Sequence, residues 1–158
     1  MTFWPTLASA LHLLSLALGL GGIVLRAVAF SELAKDPDNP QWRARLFLGD
    51  NLWGLAALFW IGSGLWRLLG GLEKPMLWYL SYGVFWVKMA LFGLIFGLEL
   101  PPMISLIKAR IQAAKHPWQP PVALLQRYAL FSRIEAGLTV AIVFVAALMA
   151  HGWQYPGT

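Results

Sequence analysis

The chain has 158 residues, of which 59% are hydrophobic and 12% are charged, and its mean hydropathy is +0.64. Soluble domains are about one-quarter charged, so this composition excludes a soluble globular enzyme, a nucleic-acid-binding module and a disordered tail. In a membrane protein, the net charge of +5 indicates first how the chain is oriented in the membrane, and only then what it binds. Cysteine is absent, which excludes disulfides, thiolate metal sites and cysteine nucleophiles.

Four apolar segments are long enough to cross a hydrocarbon layer, which takes about 20 residues of helix. Backbone groups in lipid must be hydrogen-bonded within the chain, so helices are the expected spanning form. We predict an all-α polytopic membrane protein, a bundle of four transmembrane helices that forms one domain over residues 1–158. The predicted spans run approximately Thr6–Phe30, Leu46–Leu69, Leu77–Leu100 and Leu124–Ala150.

The residues between the spans indicate where helices begin and end. Asn39-Pro40 is typical of a helix cap followed by proline in the first turn, so the second helix should begin outside the membrane. Gly70-Gly71 should end that helix, and Pro101-Pro102 should close or kink the third. Met103–His116 is amphipathic, and we expect it either to lie as a short helix in the headgroup layer or to extend the third span.

Basic residues indicate the orientation. Neither terminus carries a lysine or arginine close to its span, whereas the first and third loops are basic. The residues concerned are Lys35, Arg43, Arg45, Lys108, Arg110 and Lys115. Because positively charged loops stay in the cytoplasm, we predict a multi-pass protein of the bacterial inner (plasma) membrane with both termini on the outer side.

Several ionisable residues lie inside the predicted spans, where each costs about 2.5–3.5 kcal/mol at mid-helix on insertion scales. Those that share the cytoplasmic third by depth are Arg26, Asp50, Glu99, Arg133 and Glu135, with Asn51 beside them. Two arginines and three carboxylates at one level should largely satisfy one another. This belt is interpreted either as a structural brace or as a path for a small ion or acid. Arg133 lies nearly opposite Glu135 on its helix and is expected to reach toward the headgroups.

The first helix carries a polar and small-residue stripe at spacings of three and four. Its members are His12, Ser15, Gly19, Gly22 and Arg26. Such a stripe forms a groove for a flat ligand or for another helix. Lys88 has no carboxylate at its own depth in the sequence, and His12 has no acid near it. Neutral imidazole is a usual haem ligand and basic side chains suit porphyrin propionates, so His12 is a candidate iron ligand.

The chain resembles an uncharacterised bacterial membrane family, domain of unknown function 2214, in the runs LHLLSLALGLGG, GDNLWGLAALFWIGSGLWR and GGLEKPMLWYL. The piece Asp50–Gly54 is the most specific part of this resemblance, which implies no activity. A more distant likeness is to the HemJ and CopD group of small helical membrane proteins. HemJ-like proteins are protoporphyrinogen oxidases that bind haem b, and CopD-like proteins are linked to copper handling.

The likeness to HemJ rests on four positions. His12 and Arg26 resemble a histidine early in the first helix and an arginine near its end, and Lys88 resembles a lysine of a later helix. Glu99 stands where that pattern has a second histidine, and Glu135 is what remains of an Asn-Glu-x-Pro motif. The resemblance implies haem b, ligated by His12, with Arg26 and Lys88 paired to propionates and Glu135 holding Arg26 or relaying protons.

The sequence therefore predicts an integral membrane protein that binds haem b or a porphyrin. An enzymatic activity, if the protein has one, would be that of a porphyrin-linked membrane oxidoreductase. The alternative is a non-enzymatic accessory or assembly subunit of a larger membrane complex. The expected partners are the lipid bilayer and either further copies of this chain or a larger complex, and nucleic acid is not among them.

Overall fold

The computed structural model describes residues 3–72, 74–112 and 118–153. These contain five helices, α1 (Phe3–Leu33), α2 (Pro40–Leu69), α3 (Met76–Ser81), α4 (Gly83–Gln112) and α5 (Val122–Ala150). Helices α1, α2, α4 and α5 are long and apolar enough to cross a membrane. The predicted all-α fold with four membrane-spanning helices is thereby confirmed.

The four long helices are arranged in the order α2, α1, α5, α4. Helix α1 packs against both α2 and α5, and α5 packs against α4. Sequential long helices run antiparallel, as the pairing of His12 with Trp60 and of Arg26 with Asp50 shows for α1 and α2. The start of α1 and the end of α5 therefore lie at one end of the bundle, the terminal end. The α1–α2 and α4–α5 connections lie at the other, which we call the basic end.

Helices α1 and α2 pack closely because glycines lie at their crossing. A Cβ atom on Gly22 would lie 2.8 Å from the backbone oxygen of Gly49, and one on Gly49 would lie 2.9 Å from the backbone oxygen of Gly22. Gly19 similarly faces the ring of Trp53. Small residues let membrane helices approach to van der Waals distance. The stripe on α1 is thus a groove for another helix, α2.

The predicted ends of α2 are confirmed. The side-chain oxygen of Asn39 accepts the backbone N–H groups of Gln41 and Trp42 at 3.1 and 3.2 Å, so it caps the helix. The helix ends at Leu69, and Gly71 adopts a φ of +57°, in the left-handed region that glycine accepts without steric cost.

The third span begins later than the sequence predicts. The predicted span starts at Leu77, but a short helix, α3, ends at Ser81, and Tyr82 is extended before α4 begins at Gly83. The rings of Trp78 and Tyr82 stack with centroids 4.7 Å apart, and Tyr82 is buried. Aromatic packing therefore stabilises a break inside a segment that is apolar throughout, and hydropathy alone carries no sign of it.

The third span also ends later than predicted. Helix α4 continues through Pro101-Pro102 as far as Gln112. The segment Met103–His116 is therefore the end of α4 for its first ten residues, while residues 113–117 lie outside the described part of the chain. Leu106 and Ala109 are buried in the bundle, whereas the apolar stripe of Ile104, Ile107 and Ile111 is exposed. The structure supports the helical extension, and a position of this segment in the headgroup layer stays a prediction.

Candidate functional site

A fully buried arginine lies where the four long helices meet. The Arg26 side chain has 0% exposure, and all five of its N–H donors are used. Nε donates to Ser132 at 3.2 Å, and Nη1 donates to Asp50 at 3.2 Å and to Glu99 at 2.8 Å. Nη2 donates to Glu99 at 2.5 Å and to Glu135 at 2.7 Å. We call these five residues the Arg26 cluster.

The Arg26 cluster ties the four long helices together, because each contributes at least one member. Arg26 binds Glu99 through two parallel contacts, the fork geometry that makes arginine–carboxylate pairs strong. Two further residues support the carboxylates from outside. The indole N–H of Trp53 donates to Glu99 Oε2 at 2.9 Å, and Arg110 donates to Asp50 Oδ2 at 2.7 Å. The Arg110 side chain is 40% exposed, so it is the part of the network nearest to the surface.

The structure brings together four of the five charged residues predicted to share a level. Arg133 is exposed and donates to Ser31 Oγ at 2.9 Å, away from the Arg26 cluster. Its separation from Glu135 follows from their near-opposite positions on α5, as the sequence indicates. Asn51 is also exposed, and lies beside the cluster without joining it.

His12 lies between α1 and α2 and is bonded to α2 through both ring nitrogens. Nε2 accepts the indole N–H of Trp60 at 3.0 Å. Nδ1 lies 3.1 Å from the Trp60 carbonyl oxygen and 3.0 Å from Ser63 Oγ. Because the indole can only donate, Nε2 is the unprotonated nitrogen and Nδ1 carries the proton. The lone pair that an iron ion would need is already occupied by Trp60.

A cavity of about 510 Å³ opens beside His12 at the terminal end, and we call it the terminal cavity. This volume lies within the range of about 300–1,000 Å³ typical of small-molecule sites. Its lining includes His12, Trp60, Arg67, Lys74, Trp78, Tyr79, Lys88, Ile142 and Met149. Lys88 is placed here because α4 begins only at Gly83, so the lysine lies in the second turn of its helix. The sequence predicts it deeper, near the middle of a longer span.

A second cleft, of about 430 Å³, separates α2 from α4 farther toward the basic end, and we call it the α2/α4 cleft. Trp60 lines both spaces, so its side chain lies between them. Asp50 and Glu99 line the part of this cleft nearest to the basic end. The α2 and α4 helices are bridged across it by side chains, such as the rings of Trp60 and Phe92, whose centroids lie 5.6 Å apart. The bundle is therefore open on the side where α2, the first helix in the packing order, faces α4, the last.

The four residues of the predicted porphyrin site lie at two different levels. His12 and Arg26 are fourteen residues apart on one helix, a separation of about 21 Å along its axis that exceeds the width of a porphyrin. His12 and Lys88 line the terminal cavity, whereas Arg26 and Glu135 belong to the Arg26 cluster. Arg26 has no donor left for a propionate. The residues therefore do not fit a single haem site, and the predicted set separates into two pairs.

Among residues 3–72, 74–112 and 118–153, no group of three or more His, Asp and Glu side chains is arranged to hold a metal ion. In the Arg26 cluster, five of the six carboxylate oxygens accept from guanidinium or indole donors instead, and Oε1 of Glu135 is the exception. The polar side chains of the Arg26 cluster therefore form hydrogen bonds and ion pairs with one another.

The family model described as "Predicted membrane protein (DUF2214)" matches residues 4–154. The chain belongs to the DUF2214 family. This match confirms the family that the three sequence runs indicate, while the more distant likeness to the HemJ and CopD group stays a prediction. None of the curated proteins and none of the solved structures matches the chain.

The DUF2214 domain thus contains two candidate sites of opposite character. The terminal cavity is apolar and lined by cations, whereas the Arg26 cluster is rich in carboxylates. Both fall within the residues that the family model matches. Their chemistry is different enough that each requires a separate functional argument.

Proposed function

We propose that this integral membrane protein binds an amphipathic, lipid-soluble carboxylate of the porphyrin class in the terminal cavity. The observation that carries the proposal is the composition of the cavity wall. Aromatic and aliphatic side chains surround Arg67, Lys74 and Lys88, and none of the described lining residues is acidic. Glu73 precedes Lys74 in the chain but lies outside the described residues, and counting it leaves three cations against one acid.

Lys88 is the residue expected to select for a carboxylate. It is half-buried within a membrane-spanning helix, where a charged side chain is costly. A ligand carboxylate at the cavity wall is attracted to this lysine more strongly than it would be in water, because the surroundings have a low dielectric constant. The apolar walls provided by Trp60, Trp78 and Ile142 suit the flat hydrocarbon part of such a ligand.

Haem b is the particular ligand that the likeness to HemJ implies, and it would supply redox chemistry when bound. His12 lines the cavity, but its Nε2 accepts from Trp60, so iron ligation requires that indole to move. The proposal therefore concerns recognition of the carboxylates by Lys88 and its neighbours. Arg26 and Glu135 have no part in it.

Binding of a metal-free porphyrin tests the proposal directly. Protoporphyrin IX and its dimethyl ester differ in the carboxylates alone, and quenching of tryptophan fluorescence in nanodiscs reports binding of either. Loss of a hydrogen bond to a charged group costs about 1.5–3 kcal/mol, so the diacid should bind at least about tenfold more tightly than the ester. Lys88→Gln should weaken diacid binding by a similar factor, whereas Lys108→Gln, an exposed lysine near the basic end of the same helix, should leave it unchanged. Equal affinity for diacid and ester would refute the proposal.

The visible spectrum of protein purified from haem-replete cells separates haem from other porphyrins. A Soret band that shifts on reduction and disappears in a folded His12→Ala variant would support haem b and a displaced Trp60. A protein without that band that still prefers the diacid would bind a porphyrin other than haem.

A subunit of a larger membrane complex is the second candidate function, and the open α2/α4 cleft is the observation that favours it. A helix of a partner or of a second copy could cover the exposed side chains along that opening, such as Leu58 and Phe96. Mild purification followed by mass measurement should then yield a stoichiometric complex. A monomeric protein that binds the diacid would exclude this candidate.

We also propose that both termini lie on the outer side of a bacterial inner membrane, because the basic end carries the positive loops. The native chain contains no cysteine, so single-cysteine variants report topology directly. A membrane-impermeant thiol reagent added to intact spheroplasts should label Gly152→Cys and not Asp38→Cys. The reverse pattern would overturn the proposed orientation.

A further inference from the structure

We propose that the Arg26 cluster carries one exchangeable proton, held on Oε1 of Glu135. The first observation is the charge balance of the network. Three carboxylates, those of Asp50, Glu99 and Glu135, face two guanidinium groups, those of Arg26 and Arg110. With every group ionised, the network would hold one uncompensated negative charge inside a membrane protein, which is strongly unfavourable.

The hydrogen bonds identify the carboxyl that carries the proton. Both oxygens of Glu99 accept from Arg26, and Oε2 also accepts from Trp53. Both oxygens of Asp50 accept from arginines, Oδ1 from Arg26 and Oδ2 from Arg110. Glu135 differs, because Oε2 accepts from Arg26 while Oε1 is buried with no hydrogen-bond partner. A proton on that oxygen removes the excess charge without breaking any contact of the cluster.

A second, independent observation lies one helical turn away. The hydroxyl of Thr139 is also fully buried and also has no hydrogen-bond partner. Residues four apart on a helix share a face, with Cβ atoms about 5–6 Å apart. Buried polar groups almost always have partners, and these two oxygens are not bonded to each other in this structure. A small rotation of either side chain lets a protonated Glu135 donate to the Thr139 hydroxyl, while the charge balance of the network is what requires the proton.

The charged groups around Glu135 come from every helix that meets there. Arg26 on α1 keeps Oε2 as an acceptor, and the carboxylates of Glu99 on α4 and Asp50 on α2 disfavour a further negative charge. On its own helix, Ser132 is occupied as an acceptor for Arg26 Nε. Glu135 is consequently the group through which the network can gain or lose a proton, and the rest of the network stays bonded when it does.

Infrared spectroscopy of the full chain in nanodiscs tests this proposal, because a protonated carboxyl has a carbonyl stretch that carboxylates and amides lack. The wild-type protein at neutral pH should show one such band that shifts on exchange into D₂O. In Glu135→Gln the band should be lost and the thermal midpoint should stay close to that of the wild type, since the amide mimics the neutral carboxyl. Glu99→Gln should lower the midpoint clearly, because the amide group would place N–H donors against Arg26 and Trp53.

Thr139→Val provides a second variant that keeps side-chain volume. It should retain the band but move it to higher frequency, because the carboxyl loses its hydrogen-bond acceptor. A wild-type spectrum without the band, a band that persists in Glu135→Gln, or a loss of stability in Glu135→Gln as large as that in Glu99→Gln would each overturn the assignment. An unshifted band in Thr139→Val would overturn the pairing with Thr139.

Discussion

Replacing Arg26 with methionine should be among the most destabilising single substitutions in this protein. The side chain is fully buried and makes five hydrogen bonds, four of them to carboxylates. Methionine is flexible and apolar, so it can fill much of the space but leaves the three carboxylates facing one another. Removing one partner of a buried ion pair costs about 3–5 kcal/mol, and the value here should lie at the upper end.

Two further variants separate charge from hydrogen bonding. Arg26→Lys keeps the positive charge but offers three donors instead of five, so it should be intermediate between wild type and Arg26→Met. Arg133→Met is the matched control, because it removes an exposed arginine with a single hydrogen bond to Ser31. That control should lose less than about 1 kcal/mol.

The assay is equilibrium unfolding of the purified protein in mixed micelles, with SDS as the denaturant and helix content as the signal. All variants are compared at the same detergent composition and protein concentration, so that differences in the free energy of unfolding are meaningful. If Arg26→Met were no more destabilising than Arg133→Met, the Arg26 cluster would not be the brace of this bundle.

Three smaller effects follow from other contacts, each measured as the change in the free energy of unfolding. Gly22→Ala should cost about 1–3 kcal/mol because its Cβ would meet the α2 backbone at 2.8 Å, whereas Gly54→Ala, with no atom within 4 Å, should cost nothing measurable. Trp53→Phe should cost about 1.5–3 kcal/mol through loss of the indole donor to Glu99, and unchanged stability would contradict that contact. Asn39→Ala should cost about 0.5–2 kcal/mol as the cap of α2 is lost, while Asn39→Ser should retain most of it.

The architecture was predictable because backbone groups in lipid must be hydrogen-bonded within the chain. Four apolar segments of sufficient length must be helical, and Asn39 marks the start of α2 by ordinary capping chemistry. The break at Tyr82 was not predictable, since it depends on ring stacking between Trp78 and Tyr82 inside an apolar segment. Continuation of α4 through Pro101-Pro102 was one of two alternatives that the sequence left open, because each proline removes one backbone donor while burial of Leu106 still favours the helix.

The Arg26 cluster was largely predictable from the energetic cost of placing charged side chains inside membrane spans. Charged residues placed at one depth must find one another, and this reasoning correctly grouped Arg26 with its three carboxylates. Arg110 was missed because it reaches Asp50 only if α4 continues through the prolines, which was one of the two alternatives that the sequence left open. Trp53 was missed although a signal exists, since it lies three residues from Asp50 on the same helical face and a buried indole N–H requires an acceptor.

The partners of His12 could not be deduced from the sequence. Its bonds to Trp60 and Ser63 depend on the register between α1 and α2, which is set by the contact of Gly22 with Gly49. Hydropathy fixes which segments are helices but not how far one slides along another. Whether His12 has a lone pair available for iron depends on the indole N–H that Nε2 accepts. The prediction of His12 as an iron ligand was made without that fact.

The structure separates the parts of the charged belt that brace the bundle from the part that can react. Every donor of Arg26 and every oxygen of Asp50 and Glu99 is engaged, so altering any of them breaks existing contacts between helices. Oε1 of Glu135 and the hydroxyl of Thr139 are the buried oxygens of the described residues on this level that have no partner. A change in protonation at Glu135 is therefore compatible with an intact bundle, whereas the loss of Arg26 is not, and the brace and the proton site can be tested independently.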